Sequence, residues 1–480
     1  MLPQMPSTSS RTRFVTGLIL FAVLALVATA CGGSHSNGAA PSGGGSTAAP
    51  GTTAAAGATF GTLASPCGAG TAKGATAKGV TDTSITIGYG DDAGYSAAPG
   101  LDKEMGDAVK AMIAWCNEQG GINGRKIVGN YYDAKVLQVS QVMTQACSQV
   151  FMLVGQGYVL DSGQETTRIG CKLSTIAGYS VSTVFAHGSG MQQPVPNPGD
   201  EVTDSAAFQI AKLFPDAVKK AALVFAQFPA TQETRDKEAA GYVKAGWNFL
   251  KCDQIYGIGG ESDWKPLASA LKTCGVQVVD WVGSPDPNME NLLNAAKQVG
   301  FEPKAWVTDP NQYVSSFATW NGQNGGAADN VYVRMTGVPF EYAAQAPAVK
   351  RYMALLAQSH GTIGLLGEQS ASAFLLWATG VKACGSNVTA ACVLDSAAKQ
   401  QNWTGGGLHV PTDPGANQAT KCGMLLKLDG AKWVKVVPSG NQLFDCNDEY
   451  LVTGITTSAL AAAKLNANRI ATEFGTFTPN

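Results

Sequence analysis

From residue 84 onward, short apolar segments with a period of two residues alternate with longer segments whose apolar residues recur at helical spacing. Ile85 and Ile87 alternate with polar neighbours and predict a strand over residues 84–90. Apolar side chains from Met105 to Cys116 recur every three or four residues and predict an amphipathic helix over residues 103–118. The same reasoning predicts strands at 126–132, 151–154 and 173–177, a helix at 136–150 and a third helix before residue 173.

The alternation restarts after residues 194–201, a stretch rich in Pro, Asn and Gly that divides two halves of the chain. Strands are predicted at 220–225, 248–256, 276–282 and 305–308, with helices at 231–245, 264–273 and 288–299. Strands that alternate with helices of this length indicate a parallel sheet covered by helices on both faces. The sequence therefore predicts an α/β protein with two doubly wound, parallel-sheet lobes.

The N-terminal segment predicts export from the cytoplasm. Arg11 and Arg13 precede an apolar run that ends in small residues directly before Cys31, as in a secretory signal peptide over residues 1–30. The cysteine after the small residues resembles a bacterial lipobox, although Ala28 stands where Leu or Val is usual. We expect Cys31 to carry lipid and to hold the protein at the outer face of the cell membrane. The alternative is an uncleaved membrane anchor, for which the run is short.

Residues 32–65 consist mostly of Gly, Ser, Ala, Thr and Pro and contain no Lys, Arg, Asp or Glu. Such a composition buries too little apolar surface to offset the entropy of ordering, so we expect a flexible tether over residues 31–65.

The cysteine count agrees with an oxidising compartment, because ten cysteines remain after Cys31. Pairing of sequence neighbours suggests Cys147–Cys171, Cys252–Cys274, Cys384–Cys392 and Cys422–Cys446, which leaves Cys67–Cys116. Ten cysteines allow hundreds of connectivities, and the others stay open at this point.

Composition excludes several classes of function. Lys and Arg number 33 against 35 Asp and Glu, a formal net charge of -2, so we expect no nucleic-acid partner. Four histidines and the lack of nucleophile-elbow, zinc-protease and phosphate-loop motifs argue against an enzyme, a metal site or a cofactor.

Several segments together resemble a known family. The stretch GVTDTSITIG at 79–88 and the stretch NEQGGINGRKI at 117–127 are similar to type I periplasmic solute-binding proteins of the leucine/isoleucine/valine class. Asp133 falls where that family places an Asp, and the similarity extends to about residue 437.

The resemblance implies the type I periplasmic binding protein fold, with lobes joined by three chain crossings near 200–205, 334–340 and 418–424. Lobe 1 is then expected to comprise residues 66–200 and 340–420, and lobe 2 residues 201–339 and 421–455. Residues 456–480 would form a C-terminal extension. The resemblance also implies a monomer that binds a small molecule and delivers it to the membrane permease and ATPase subunits of an ABC importer.

Candidate ligand-binding residues follow the strands, since doubly wound sheets bind ligands beyond their carboxyl ends. In lobe 1 these candidates are Tyr95, Tyr158, Asp161, Ser162, Tyr179 and Ser180. The resemblance implies that Ser162 and Ser180 hold a ligand carboxylate, as in amino-acid-binding members. Asp161 and Ser162 would equally serve as a helix N-cap, and the tyrosines as packing under a loop.

In lobe 2 the candidates are Phe228, Asp286 and Asp309. The resemblance implies an acid near Asp309 that pairs with a ligand ammonium, but Pro310 occupies the nominal position. Asp309 would alternatively cap a turn. This departure weakens the case for an amino acid and leaves an amide, a short peptide or an aromatic acid open.

The leading hypothesis is ligand capture for an importer, without chemistry. A ligand-sensing ectodomain of a signalling system with the same fold is the first alternative, and a lipid-anchored hydrolase is the second.

Overall fold

The computed structural model describes residues 59–257, 259–283 and 287–480. The expected signal peptide, Cys31 and most of the expected tether lie outside these residues, as does the alternative membrane anchor. The described chain opens with a small hairpin of β1 (Thr59–Phe60) and β2 (Leu63–Ala64). Phe60 is fully buried. The segment 59–65 is therefore part of the folded body and not tether, because its aromatic side chain fills a core.

The first sheet has five strands, and its order by strand number is β4-β3-β5-β6-β7 with all pairs parallel. We call this sheet and the helices on it lobe 1. Its strands are β3 (Ser84–Asp91), β4 (Lys126–Asp133), β5 (Met152–Val154), β6 (Thr175–Ile176) and β7 (Met191–Gln192). The intervening helices are α1 (Lys103–Glu118), α2 (Val139–Gln149), α3 (Glu165–Gly170) and α4 (Thr183–Ala186).

The chain then passes to a second sheet through β8 (Glu201–Thr203). We call this second sheet and its helices lobe 2. Its parallel strands are β9 (Ala221–Ala226), β10 (Gln254–Tyr256), β11 (Val278–Val282), β12 (Ala305–Thr308) and β13 (Val331–Met335). Its helices are α5 (Ser205–Leu213), α6 (Pro229–Lys244), α7 (Lys265–Thr273), α8 (Asn288–Val299) and α9 (Ser315–Gln323).

After β13 the chain returns to lobe 1, where three helices pack beside α1 and on each other. They are α10 (Pro347–Ser359), α11 (Leu365–Cys384) and α12 (Ala390–Ala398). The chain crosses again to add two antiparallel strands, so that the order in lobe 2 is β10-β9-β11-β12-β13-β14-β15. The last elements are β14 (Cys422–Asp429), β15 (Lys432–Val437), β16 (Asp445–Cys446), β17 (Leu451–Thr453) and α13 (Ser458–Ala463).

The crossings contact one another. Val338, on the second crossing, donates its backbone N–H to the carbonyl of Leu408, in the lobe 1 segment that leads to the third crossing, at 2.7 Å. The hydroxyl of Thr203, on the first crossing, donates to the carbonyl of Thr420 on the third at 2.7 Å. The chain makes a further passage near its end, because β17 pairs with β8 and α13, in the C-terminal extension, then packs against α4 of lobe 1.

Each sheet is buried on both faces, as expected for doubly wound sheets. In lobe 1 one face packs against α1 and α11, and the other against α2. In lobe 2 two further clusters of buried apolar side chains cover the two faces. Among the described residues, no helix combines the length and apolar character that crossing a bilayer requires.

The ten cysteines of the described chain form five disulfides. Four are the pairs that sequence proximity suggested, and the fifth is the pair that these left over: Cys147–Cys171, Cys252–Cys274, Cys384–Cys392, Cys422–Cys446 and Cys67–Cys116.

One strand prediction was wrong in its bounds. The strand predicted at 248–256 begins only at Gln254. Lys251 adopts a left-handed backbone conformation with φ of 56°. The Asp253 carboxylate accepts the backbone N–H of Leu223 on β9 at 2.9 Å. A side chain therefore takes a hydrogen bond that a regular strand would have made through its backbone.

Candidate functional site: a cleft between the two lobes

In each lobe the strand order places the first and third strands of the unit side by side, β3 beside β5 and β9 beside β11. Loops after two such strands diverge, and ligands bind doubly wound sheets at this switch point. A cavity lies where loops from both switch points meet, and it encloses about 1080 Å³ including the part open to solvent. Its lining is mostly apolar, and it comes from both lobes.

Two buried carboxyls at the end of β3 shape the wall of lobe 1. Asp92 accepts the backbone N–H groups of Val136 and Val159 at 2.6 and 2.7 Å, and both valines line the cavity. Asp91 accepts the backbone N–H of Gly106 in α1 at 3.1 Å. Burial raises the pKa of Asp91 to about 7 and that of Asp92 to about 6. These carboxyls hold the loops that form the wall.

The loop after β6 is fixed in a similar way. The Asp161 carboxylate accepts the backbone N–H groups of Val181 and Ser182 at 2.6 and 3.0 Å. The Ser180 hydroxyl donates to the side-chain oxygen of Gln193 at 3.0 Å. Both side chains are fully buried. Their bonds fasten the loop that presents Tyr179 and Val181 to the cavity.

The wall of lobe 2 is built around the start of α6. Pro229 occupies the first turn of this helix, where its missing N–H costs nothing. Phe228, just before it, and Thr231 and Thr234 line the cavity. The Thr231 hydroxyl donates to the carbonyl of Ala226 at the end of β9 at 2.6 Å, which fixes the helix to the strand.

A charged cluster lies beside the cavity. The Arg334 guanidinium, on β13, donates to the carboxylates of Asp309 and Glu238. Lys237, the neighbour of Glu238 on α6, donates to the side-chain oxygen of Asn197 at 2.6 Å. The charge of Asp309 is therefore balanced within lobe 2, although its position lines the cavity.

Asp102 is the other acidic residue of the lining. Burial raises its pKa well above the usual range, and the nearby carboxyls of Glu104, Asp92 and Asp91 raise it further. A protonated Asp102 adds no negative charge to the apolar wall of lobe 1.

The structure brings together five of the sequence-predicted residues around the cavity: Tyr95, Tyr158, Tyr179, Phe228 and Asp309. Three others, Asp161, Ser162 and Ser180, are not among its lining residues. The interpretation of Asp161 as the N-cap of its own helix is also not what the structure shows, because it bonds the next loop instead. Asp309 precedes a short turn at 310–312 without a capping side-chain bond. Asp286 lies outside the described residues.

Sequence reasoning missed the contribution of α11. Leu366 and Gln369 line the cavity from the first turns of this helix. They are three residues apart and therefore share a helix face. The available signal was a 20-residue helical segment that begins directly after Gly364.

A serine and a histidine meet away from the cavity. The Ser372 hydroxyl and His409 Nε2 are 2.8 Å apart, and the Trp403 indole N–H donates to the same hydroxyl at 2.9 Å. All three side chains are buried, and burial lowers the pKa of His409 to about 4. This pair joins α11 to the segment that leads to the third crossing and has a structural role. No cluster of three potential metal-ligating side chains occurs among the described residues.

Solved structures share this architecture. A fatty acid ABC transporter substrate-binding protein from Thermomonospora curvata is 16% identical, with a TM-score of 0.61 over 78% of this chain and 95% of that one. A leucine binding protein from Thermotoga maritima is 12% identical, with a TM-score of 0.59 over 74% and 98%. A solute binding protein of an ABC transporter from Rhodopseudomonas palustris, solved with p-hydroxybenzoic acid, is 12% identical, with a TM-score of 0.60 over 76% and 97%.

No curated protein matches the sequence. The family profile described as periplasmic binding protein matches residues 84–432, which span β3 to the start of β15. The two doubly wound lobes, the crossings between them and the cavity at their switch points are those of the type I periplasmic binding protein fold. The chain belongs to the periplasmic binding protein family.

Proposed function

We propose that this chain is the lipid-anchored, extracytoplasmic substrate-binding protein of an ABC importer and captures one small molecule between its lobes. The observation that carries the proposal is the mostly apolar cavity, which both lobes line at their switch points. A ligand held from both sides forms its full set of contacts only when the lobes are closed. That difference in affinity shifts the population toward closure, and a membrane permease can recognise the closed shape.

The ligand class is an amino acid, or an amide or aromatic acid of similar size. The cavity is lined mostly by apolar atoms with a few polar groups, as small-molecule sites usually are. Three tyrosines and Phe228 supply aromatic surface. Solved structures with this fold are named as a fatty acid substrate-binding protein and a leucine binding protein, and a third was solved with p-hydroxybenzoic acid.

The anchor is proposed from the sequence. Arg11, Arg13 and the apolar run before Cys31 direct export, and Cys31 would carry the lipid. A lipid label incorporated in vivo should appear on the wild-type chain and be lost from Cys31→Ser. Labelling of that variant would contradict the anchor site.

The capture function is tested with residues 32–480, which retain the whole described body. In a thermal-shift screen of amino acids, amides and aromatic acids, a ligand should raise the melting temperature by selective binding to the folded state. Small-angle scattering should show a smaller radius of gyration with that ligand than without it.

Phe228→Ala should weaken binding, because it removes aromatic lining. Phe474→Ala is the matched control, since Phe474 is 36% exposed and lies in the C-terminal extension. Equal affinity of the two variants, or no ligand-induced compaction, would contradict capture between the lobes.

A further inference from the structure

A second cavity of about 740 Å³ adjoins the first one. The two share Tyr179, Thr234, Pro310 and Gln369 as lining residues. The first cavity is mostly apolar, whereas the lining of the second one includes Lys237, Glu238 and Arg334. The cleft therefore has an apolar chamber and a polar chamber, which meet at these four shared residues, here called the neck.

Gln369 has an unused acceptor at the neck. Its side chain is only 7% exposed, and its Oε1 atom is buried without a hydrogen-bond partner among the described residues. A buried carbonyl without a donor is unfavourable, because its desolvation is not offset by a hydrogen bond. An N–H or O–H group of a ligand at the neck would satisfy it.

Arg334 offers the complementary group. Its Nη2 donates to Glu238 and Asp309, but its Nη1 is buried and has no partner among the described residues. Arg334 lines the polar chamber together with Gln369. Among the described residues of this lining, Arg334 Nη1 is thus a buried donor and Gln369 Oε1 a buried acceptor that have no partner.

The charges limit which head group fits. A carboxylate could accept from Arg334, but it would meet the carboxylates of Glu238 and Asp309 and leave Gln369 unsatisfied. An ammonium could donate to Gln369, but it would face the Arg334 guanidinium. An amide both donates and accepts without adding charge, so it alone of the three satisfies both groups.

We propose that the two cavities form one site for an uncharged molecule with an apolar body in the first chamber and an amide head at the neck. Gln369 Oε1 accepts the amide N–H, and Arg334 Nη1 donates to the amide carbonyl. Gln369 is the specificity-determining residue, since a site built to bond a donor rejects analogues that lack one. The inference rests on the proposed capture function and deepens it.

The test compares three probes with the same phenyl body: phenylacetamide, phenylacetate and phenethylamine. Isothermal titration calorimetry on residues 32–480 should show phenylacetamide binding at least about tenfold more tightly than either of the others. Gln369→Leu should weaken phenylacetamide by about tenfold or more, with little effect on phenylacetate. Gln369→Glu should shift the preference toward phenethylamine, because it places a carboxylate at the neck.

Gln358→Leu is the matched control, since Gln358 is exposed on α10, and it should bind all three probes as the wild type does. Phenylacetate binding as tightly as phenylacetamide, or an unchanged affinity in Gln369→Leu, would overturn the assignment. Binding of other molecules from the thermal-shift screen without any of the three probes would overturn it and leave the capture function standing. If no small molecule binds at all, both the amide site and the capture function are contradicted. If Gln369→Leu does not fold, the order in which the wild type and Gln369→Glu bind the three probes still tests the assignment.

Discussion

Asp200, just before the first lobe crossing, and Arg469, in the C-terminal extension, form a two-point ion pair. Arg469 Nε and Nη2 donate to the two carboxylate oxygens of Asp200 at 2.7 and 2.6 Å. His187 Nδ1 also lies 2.7 Å from the Arg469 carbonyl, so lobe 1, the crossing and the extension meet here. The extension is therefore fastened to the hinge.

Arg469→Ala should reduce the free energy of unfolding by about 1–2 kcal/mol, because it breaks two charge-assisted bonds that are partly shielded from water. Urea denaturation would measure the loss. The control is Lys421→Ala, whose pair with Asp448 is mostly exposed and should contribute less than about 0.5 kcal/mol. Equal losses in the two variants would show that the extension adds no stability through Arg469.

Arg334→Met should be more damaging, with a loss of about 3–5 kcal/mol, because it leaves the buried Glu238 carboxylate without its cation. Adding Glu238→Gln should recover part of that loss by removing the unpaired charge. Urea unfolding of the single and double variants gives the comparison. A double variant less stable than Arg334→Met alone would contradict this account of the cluster.

Asp280→Asn should flatten the dependence of stability on pH. Burial raises the pKa of Asp280 from 3.8 to about 8, and the nearby Asp309 carboxylate adds to the shift. The folded state thus holds a proton that the unfolded chain releases near its ordinary pKa. The stability from this proton is complete below about pH 4 and is lost as the pH rises toward about 8.

Over that window the wild type should lose stability relative to Asp280→Asn, by at most about 1.4 kcal/mol per pH unit. Urea midpoints at several pH values provide the measurement. Asp448→Asn, at an exposed position, should keep the wild-type slope. If Asp280→Asn also kept the wild-type slope, Asp280 would be ionised in the folded protein over the whole of that pH window.

The disulfides should differ in their effect according to the loop that each closes. Cys67 and Cys116 are 49 residues apart, whereas Cys384 and Cys392 are 8 apart. Loop-closure entropy gives about 4 kcal/mol for the longer loop and about 2.5 kcal/mol for the shorter one. Paired Cys→Ser variants, compared by thermal unfolding, should therefore rank in this order. The reverse ranking would mean that packing around the cysteines outweighs chain entropy.

The hydrophobic pattern was sufficient to predict the alternating strands and helices. The helix predicted at 103–118 has those bounds in the structure, and its buried side chains pack on the sheet and against α10 and α11. The same pattern identified the loops that form the cleft, and hence Tyr95, Tyr158, Tyr179, Phe228 and Asp309 as its lining.

Two features of the candidate site could not be predicted from the sequence. Helix α11 is buried nearly all round, so no polar face indicates which of its side chains points to the cleft. The roles of Asp161 and Ser180 depend on whether a short polar side chain turns toward the ligand or toward neighbouring backbone and side-chain groups. Here both turn inward to bonds with Val181, Ser182 and Gln193. Such choices depend on tertiary distances that sequence spacing does not contain.

Both ends of the described chain are attached to the same lobe. The β1–β2 hairpin bonds to the carbonyl of Gly406 through the N–H of Thr62, and the carbonyl of Asn480 accepts the N–H of Ala391 in α12. A mechanical load applied between the two ends would therefore run through lobe 1 and bypass the hinge. A surface or a dye coupled at either end would leave lobe 2 free to swing, so its movement could be followed against a stationary reference.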